Sequence, residues 1–117
     1  MKIHLFDKST NFVVVPAGHV VFNVGDPGDS MYAVIDGAVE ISVHGQVIET
    51  IEAGGVFGEM ALVENKPRSA SAIVKTVAKL VPIDRNRFMF LVQQTPFFAL
   101  QLLTIVTERL RRFVEKV

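Results

Sequence analysis

The segment Phe57–Val74 reads FGEMALVENKPRSASAIV. It brings a glycine, Gly58, close to two charged residues that could bind a ligand, Glu59 and Arg68. Arg68 carries a permanent positive charge on a planar group that matches phosphate oxygens, and Ser69 beside it can add a hydroxyl donor. Gly58 lets the backbone approach a ligand closely, and a helical turn over Glu59–Leu62 would offer free N–H groups to an anion. These residue types indicate a site for a small phosphorylated ligand.

Glu59 cannot be a second phosphate contact, because a carboxylate and a phosphate repel each other. In dinucleotide-binding folds, acidic side chains accept hydrogen bonds from sugar hydroxyls, and Glu59 suits the same task. A phosphate site beside a sugar site predicts a nucleotide ligand. On these residues alone one alternative stays open, in which Glu59 and Arg68 form an ion pair at the base of a loop and Gly58 only makes a turn.

The histidines and serines do not form a catalytic or metal-binding set. His4, His19 and His44 are far apart and have no His-x-His or His-x-x-x-His spacing, and the chain has no cysteine. Ser69 and Ser71 lie next to an arginine rather than next to a residue that could act as a base. The sequence therefore predicts neither an enzyme nor a metal or cofactor site.

Most of the chain reads as short β-strands broken by Gly, Pro and Asp about every eight to twelve residues, which favours an antiparallel sandwich or barrel. The predicted strands are Phe12–Val15, His19–Asn23, Ser30–Ile35, Ala38–Val43, Gln46–Ile51, Ser71–Val74 and Ala78–Ile83. Asp36–Gly37 and His44–Gly45 suit tight hairpins, because these residue types tolerate positive φ. The long connection 52–69, which carries the charged residues, is predicted to be functional.

The period becomes helical from Asp84 onward. Asp84 can cap a helix that runs to about Gln94, and Thr95–Pro96 reads as the start of a second helix. An apolar stripe follows that last helix at Ala99, Leu103, Val106, Leu110, Phe113 and Val117. The stripe could close over the sheet in a monomer or pair two copies, and its short length favours the monomer over a homodimer.

A chain of 117 residues predicts one domain, with strands over about 12–83 and helices over about 84–117. Twelve Lys and Arg residues balance twelve Asp and Glu residues, which argues against a dedicated nucleic-acid-binding domain. The polar N-terminus is unlike a signal peptide, and no apolar run approaches membrane-spanning length. We expect a soluble, cytoplasmic protein with no nucleic-acid or membrane partner.

The segment Phe57–Leu62, followed by Arg68, Ser69 and Ala70, resembles the phosphate-binding cassette of cyclic nucleotide-binding domains. The family pattern is Phe-Gly-Glu-(Leu)-(Ala/Gly)-Leu and, a few residues later, Arg-(Ser/Thr/Ala)-Ala. Residues 25–37, GDPGDSMYAVIDG, resemble the family's glycine-acidic turn and the strand and hairpin after it. Such domains occur in catabolite activator proteins, regulatory subunits of cyclic-AMP-dependent protein kinase and cyclic-nucleotide-gated channels. The resemblance implies a jelly-roll-like β-roll (double-stranded β-helix) of about eight strands with C-terminal helices.

The resemblance also implies roles for the cassette residues. Glu59 would accept the ribose 2′-OH, Arg68 would pair with the cyclic phosphate, and nearby backbone amides would help hold both groups. A hydroxyl at Ser69 suits the phosphate of cyclic AMP, and in cyclic-GMP-selective members it helps hold the guanine. Cyclic AMP is expected in preference to cyclic GMP. The implied ligand-binding set is Gly58, Glu59, Met60, Ala61, Arg68 and Ser69.

The last helix departs from the family pattern where the base is expected. In catabolite activator proteins adjacent Thr and Ser residues reach the adenine, whereas Phe113 and Val114 align there in this chain. An apolar side chain or a stacked arginine would have to cover the base instead. The candidates are Arg109, Leu110, Arg112, Phe113 and Val114.

The resemblance finally implies a regulatory module in which ligand binding moves the helices after Asp84 and the last helix contacts an effector protein. The family's transcription factors continue into a helix-turn-helix domain about where this chain stops at Val117, so we expect a stand-alone domain without a DNA-reading element. Two alternatives stay open. One is an interaction or dimerisation module with a vestigial ligand site, and the other is a domain cut from a longer channel, kinase or transcription factor.

Overall fold

The computed structural model describes residues 1–116, which form a six-stranded antiparallel sheet and three helices. The strands are Val13–Val15 (β1), Val20–Phe22 (β2), Ser30–Val43 (β3), Gln46–Glu52 (β4), Val56–Phe57 (β5) and Ser71–Asp84 (β6). The helices are Glu59–Glu64 (α1), Arg85–Gln94 (α2) and Pro96–Glu115 (α3). The predicted fold class, mainly β and jelly-roll-like with C-terminal helices, is confirmed.

The long strands β3 and β6 pair with each other along most of their length and organise the sheet. β1 and β2 pair with β6, and β4 and β5 pair with β3. The predicted hairpin at Asp36–Gly37 is wrong, because β3 continues through Gly37 with shifts of register against β6. Gly37 has φ 84°, and a Cβ there would lie 2.2 Å from the carbonyl oxygen of Val77. The glycine therefore makes a bulge against β6 rather than a turn.

The predicted break between Ser71–Val74 and Ala78–Ile83 is also wrong, since both segments belong to β6. Counting β3 and β6 as two segments each, on either side of the bulge, reconciles six strands with the eight that were expected. The hairpin at His44–Gly45 is confirmed, with φ of 52° and 77° at its two residues. This turn joins β3 to the edge strand β4.

Two hydrophobic clusters divide the interior, one within the β-roll and one between the roll and the helices. The first cluster contains Phe22 from β2 and Phe57 from β5. The second contains Leu62 from α1 together with Phe98 and Ile105 from α3. Burial of such side chains stabilises each cluster by about 1.5–3 kcal/mol per large residue. Leu62 thus places α1 in the same core as α3.

The two C-terminal helices begin where the sequence predicts, but α3 buries a different face. The Asp84 side chain accepts a hydrogen bond of 2.8 Å from the backbone N–H of Arg87, as expected of an N-cap. The buried residues of α3 are Phe98, Leu102 and Ile105. Leu103, Leu110 and Phe113, from the predicted stripe, are 61%, 61% and 71% exposed; Val117 lies outside the described residues. The stripe therefore does not close over the sheet, because the helix packs through residues one position earlier.

No single helix among residues 1–116 is long and apolar enough to cross a membrane. The helices α2 and α3 reach such a length and composition only as a pair, and the pair is bent by 112°. Over the same residues, no three His, Cys, Asp or Glu side chains lie close enough together to hold a metal ion.

Candidate functional site

The cassette segment turns at Gly58, between β5 and α1. Gly58 has φ 82°, a left-handed conformation that favours glycine. A Cβ at this position would lie 2.9 Å from Nη1 of Arg68 and 3.4 Å from the ring of Phe22. Glycine is therefore required both by the backbone conformation and by the space that these two side chains occupy.

The helix α1 is short, and the loop between β2 and β3 fixes its position. Among residues 1–116 no side chain caps its first turn, so the amides that follow Gly58 have no side-chain acceptor there. A Cβ on Gly28 would lie 2.1 Å from Cβ of Ala61 and 2.8 Å from the carbonyl oxygen of Lys66. The absence of a side chain at residue 28 and the small one at residue 61 allow this close approach.

Arg68 is anchored through both its backbone and its side chain. Its N–H donates to the carbonyl of Asp26, and its own carbonyl accepts from the N–H of Gly25, each at 2.9 Å. The guanidinium donates from Nη1 to the carbonyl of Gly58 at 2.7 Å and from Nη2 to the carbonyl of Ser30. The glycine-acidic turn that marks the sequence motif thus holds the arginine in place.

The guanidinium of Arg68 is buried without an anionic partner. The residue is 4% exposed, and its Cζ lies 4.0 Å from the centre of the Phe22 ring. Within residues 1–116, no carboxylate forms a salt bridge with Arg68 and its buried Nε has no hydrogen-bond partner. Burial lowers the pKa of the guanidinium below its usual value, and nearby acidic groups offset part of that change. A buried cation that has only neutral partners, and a buried N–H without a hydrogen bond, is suited to an anionic ligand.

The carboxylate of Glu59 is also buried, but it has a cationic partner from α3. Glu59 is 5% exposed, and its Oε1 accepts a hydrogen bond from Nη1 of Arg109. Arg109 also donates from Nη2 to the carbonyl of Val56, and from Nε to Oε2 of Glu49 on β4 at 3.1 Å. The alternative ion pair between Glu59 and Arg68 is not formed. Instead, one arginine ties α3 to the cassette and to β4.

The remaining predicted residues fall into two groups, one engaged and one on the surface. Arg112, like Arg109, is engaged, because its Nη2 donates to Oε2 of Glu49 at 3.1 Å. The exposed candidates are Met60, Ser69, Leu110, Phe113 and Val114. Both arginines that were candidates for covering a base therefore form ion pairs with carboxylates, whereas the apolar candidates of α3 are exposed at the surface.

Sequence reasoning did not single out three residues around the two buried charges: Phe22 and Ser30 contact Arg68, and Glu49 contacts Arg109, the partner of Glu59. Ser30 acts through its backbone carbonyl, which no residue type signals. Phe22 reads as an ordinary core residue of a strand, and Glu49 reads as an ordinary exposed position of one. Their roles depend on contacts between separate segments of the chain.

Comparison with known proteins identifies the family. The family profile described as cyclic nucleotide-binding domain matches residues 12–95. This chain belongs to the cyclic nucleotide-binding domain family. The domain is 32% identical over 110 residues to a CRP-like cAMP-activated global transcriptional regulator of Mycobacterium tuberculosis, covering 90% of this chain and 49% of the regulator. It is 36% identical over 85 residues to a cyclic nucleotide-gated potassium channel of Mesorhizobium japonicum, covering 73% of this chain and 23% of the channel.

A solved structure supports the same family and fold. The catabolite activator protein of Thermus thermophilus matches the domain with a TM-score of 0.80 and 28% identity, covering 90% of this chain and 52% of that one. The predicted membership of the cyclic nucleotide-binding domain family is confirmed. The domain spans about half the length of the regulator and about a quarter of the channel, so what those whole proteins do is not transferred with the fold.

Proposed function

We propose that this cyclic nucleotide-binding domain binds a 3′,5′-cyclic nucleotide, cyclic AMP in preference to cyclic GMP, and reports its occupancy through α3. The observation that carries the proposal is the pair of buried charges in the cassette. Arg68 has an open N–H and no carboxylate partner among residues 1–116, and Glu59 is held by an arginine of α3. The cAMP-activated regulator of Mycobacterium tuberculosis supports the choice of cyclic AMP.

In the proposed complex, the cyclic phosphate accepts hydrogen bonds from the guanidinium of Arg68 and neutralises its buried charge. The exposed hydroxyl of Ser69 adds a donor at the same end of the ligand. The ribose 2′-OH donates to Glu59, and the uncapped amides after Gly58, as far as Ala61, face the ribose and phosphate. Met60 contributes through its backbone, because its side chain is 54% exposed.

Ligand binding is coupled to α3 because Glu59 serves two partners in the proposed cycle. The carboxylate that accepts the ribose hydroxyl is the one that holds Arg109. A nucleotide that changes the hydrogen bonds of Glu59 changes the free energy of the Arg109 contact, and therefore the position that α3 favours. Leu62 offers a second route, since any shift of α1 moves a side chain that shares a core with α3.

A calorimetric titration with cyclic AMP, cyclic GMP and 5′-AMP tests the proposal. We expect saturable binding of cyclic AMP, weaker binding of cyclic GMP and no binding of 5′-AMP. Arg68→Ala should weaken this binding roughly 10- to 150-fold, whereas Arg111→Ala, which removes an exposed arginine of α3, should retain it. Absence of heat from either cyclic nucleotide with a folded domain would contradict the proposal.

A second candidate function is favoured by the apolar side chains that α3 leaves in solvent. Leu103, Leu110 and Phe113 lie on a helix that the proposed ligand site controls. They suit contact with an effector protein or with a second copy, in either case as the output of the domain. The monomer stays the predicted state of the free domain, and a cytoplasmic location stays a prediction.

Light scattering on a dilution series, with and without cyclic AMP, separates these possibilities. A mass that stays at the monomer value throughout the dilution series would favour an effector protein as the partner of the exposed face. A mass that rises with concentration, and that returns to the monomer value in Leu110→Glu, assigns the face to a second copy. Self-association in a domain that binds no cyclic nucleotide would favour the interaction module over the sensor.

A further inference from the structure

The guanidinium of Arg68 lies over the face of an aromatic ring at the end of β2. Phe22 is 8% exposed, and its ring centre lies 4.0 Å from Cζ of Arg68. The ring packs beside two others, with its centroid 6.0 Å from that of Phe57 and 6.3 Å from that of Tyr32. Tyr32 and Phe57 stack on each other at 5.3 Å. Arg68 therefore rests on an ordered aromatic cluster.

The contacts of the guanidinium complement each other geometrically. Its hydrogen bonds from Nη1 and Nη2 hold the outer edge of the group on the carbonyls of Gly58 and Ser30. Two contacts along one edge leave the plane free to tilt about the line that joins them. A ring against the face removes that freedom. Of the five N–H groups of the guanidinium, two donate in these bonds, and the N–H at the buried Nε has no hydrogen-bond partner within residues 1–116.

We propose that Phe22 is a positioning residue, which fixes the guanidinium of Arg68 in the orientation from which it binds the phosphate of the ligand. The inference rests on the proposed function, because it concerns how the phosphate-binding arginine is held. Loss of the attraction between a buried cation and an aromatic face should weaken the binding of the ligand roughly 3- to 30-fold. The substitutions Phe22→Leu and Phe22→Met test this role, because each keeps an apolar side chain in the site but removes the π face.

The matched control is Val39→Ala, which removes apolar volume from the same hydrophobic cluster. Val39 is fully buried in β3, and its neighbours across the sheet are Ile51 and Val74. This variant reports what general loosening of the β-roll does to ligand binding. If Phe22→Leu does not fold, Phe22→Met serves in its place, because its flexible side chain adapts to irregular gaps.

The first measurement follows the Nε–H signal of Arg68 by NMR in the domain without ligand, assigned by its loss in Arg68→Lys. We expect a ring-current shift to high field that persists in Val39→Ala and disappears in Phe22→Leu. An unchanged signal in Phe22→Leu would overturn the inference, because the ring would then not determine where the guanidinium lies. This measurement needs no nucleotide.

The second measurement is the affinity for cyclic AMP by calorimetry. We expect Phe22→Leu to bind roughly 3- to 30-fold more weakly than the unsubstituted domain, and Val39→Ala to bind within about twofold of it. Equal losses in both variants would reduce Phe22 to a core residue and overturn the inference. If the unsubstituted domain binds no cyclic AMP, the proposed function fails, and the NMR signal alone decides whether Phe22 fixes Arg68.

Discussion

The two buried charges of the cassette are held by different parts of the molecule. Arg68 is held by the loop between β2 and β3 and by a ring from β2, all within the β-roll. Glu59 is held by Arg109, which belongs to α3. A charge fixed by the sheet can bind a ligand without moving anything else. A charge shared with a helix passes a change of occupancy to that helix.

The hydrophobic cores divide the cassette in the same way. Phe57, which precedes the turn at Gly58, belongs to the cluster inside the β-roll. Leu62, which follows the turn, belongs to the cluster that contains Phe98 and Ile105 of α3. We therefore expect cassette residues that pack within the β-roll to affect mainly the affinity for the ligand, and cassette residues that contact α3 to affect mainly the coupling of ligand binding to α3. Substitutions in the two groups should have different consequences.

The largest effect is expected from Arg68→Ala, on the affinity side of the comparison. Loss of charge-assisted hydrogen bonds, worth about 1.5–3 kcal/mol each, should weaken cyclic AMP binding roughly 10- to 150-fold in calorimetry. Hydrogen exchange of α3 in the ligand-free domain should not change, because Arg68 makes its contacts within the β-roll and the cassette turn. Faster exchange in α3 of this variant would contradict the division.

Gly58→Ala should disturb the turn that lies between the two groups. The substitution forces a Cβ into a left-handed conformation and to 2.9 Å from Nη1 of Arg68. Gly18→Ala is the matched control, because Gly18 has a similar φ of 87° with open space around it. Both variants should lose about 1 kcal/mol or more of unfolding free energy in urea titrations. Only Gly58→Ala should also lose cyclic AMP binding, and equal binding by both would contradict the proposed crowding.

Arg109→Ala tests the coupling side. Removing the cation leaves the carboxylate of Glu59 buried without its partner, which should lower the free energy of unfolding by about 1–3 kcal/mol. Adding Glu59→Gln should recover part of that loss, since a neutral amide costs less to bury than a carboxylate. Arg112→Ala is the control, and its exposed ion pair with Glu49 should contribute under about 1 kcal/mol. Additive losses in the double variant would contradict the coupling between Glu59 and Arg109.

The smallest effect concerns Tyr32, in the aromatic cluster beneath Arg68. Burial raises the pKa of the Tyr32 hydroxyl, and the charge of Arg68 opposes that rise. Because the unfolded chain ionises at lower pH than the folded domain, stability should fall as the pH rises above about 10. Tyr32→Phe should weaken this decline in thermal unfolding measured from about pH 9 to about pH 11. An identical decline in both proteins would show that Tyr32 is not the group responsible.

Local patterns were sufficient to predict the class of the fold and several local conformations. The cassette motif, the cap at Asp84 and the helix start at Thr95–Pro96 are short-range signals, and the structure has a turn or a helix start at each. The same signals did not distinguish a hairpin from a bulge at Gly37, because glycine in the left-handed region serves both. Only pairing with β6, which lies far along the chain, decides between them.

The helix face and the charge partners depend on tertiary contacts that the sequence does not encode locally. Two pairs of apolar residues in α3 have the same three-residue spacing. The buried pair is Leu102 and Ile105, and the less buried pair, one position later, is Leu103 and Val106. Periodicity therefore offered two faces of α3, and packing on the β-roll selected one. The partner of Glu59 was similarly hidden, because Arg109 is brought to it only when α3 docks.

Hydrogen exchange of α3 with and without saturating cyclic AMP, in the unsubstituted domain and in Arg109→Ala, tests the coupling most directly. We predict that cyclic AMP changes exchange in α3 of the unsubstituted domain and changes it much less in Arg109→Ala, where only the contact through Leu62 remains. Amides around Arg68 should become protected in both proteins, because the phosphate site remains intact. No change in α3 of the unsubstituted domain, or the same change in both proteins, would contradict the claim that Glu59 and Arg109 transmit occupancy to the helix.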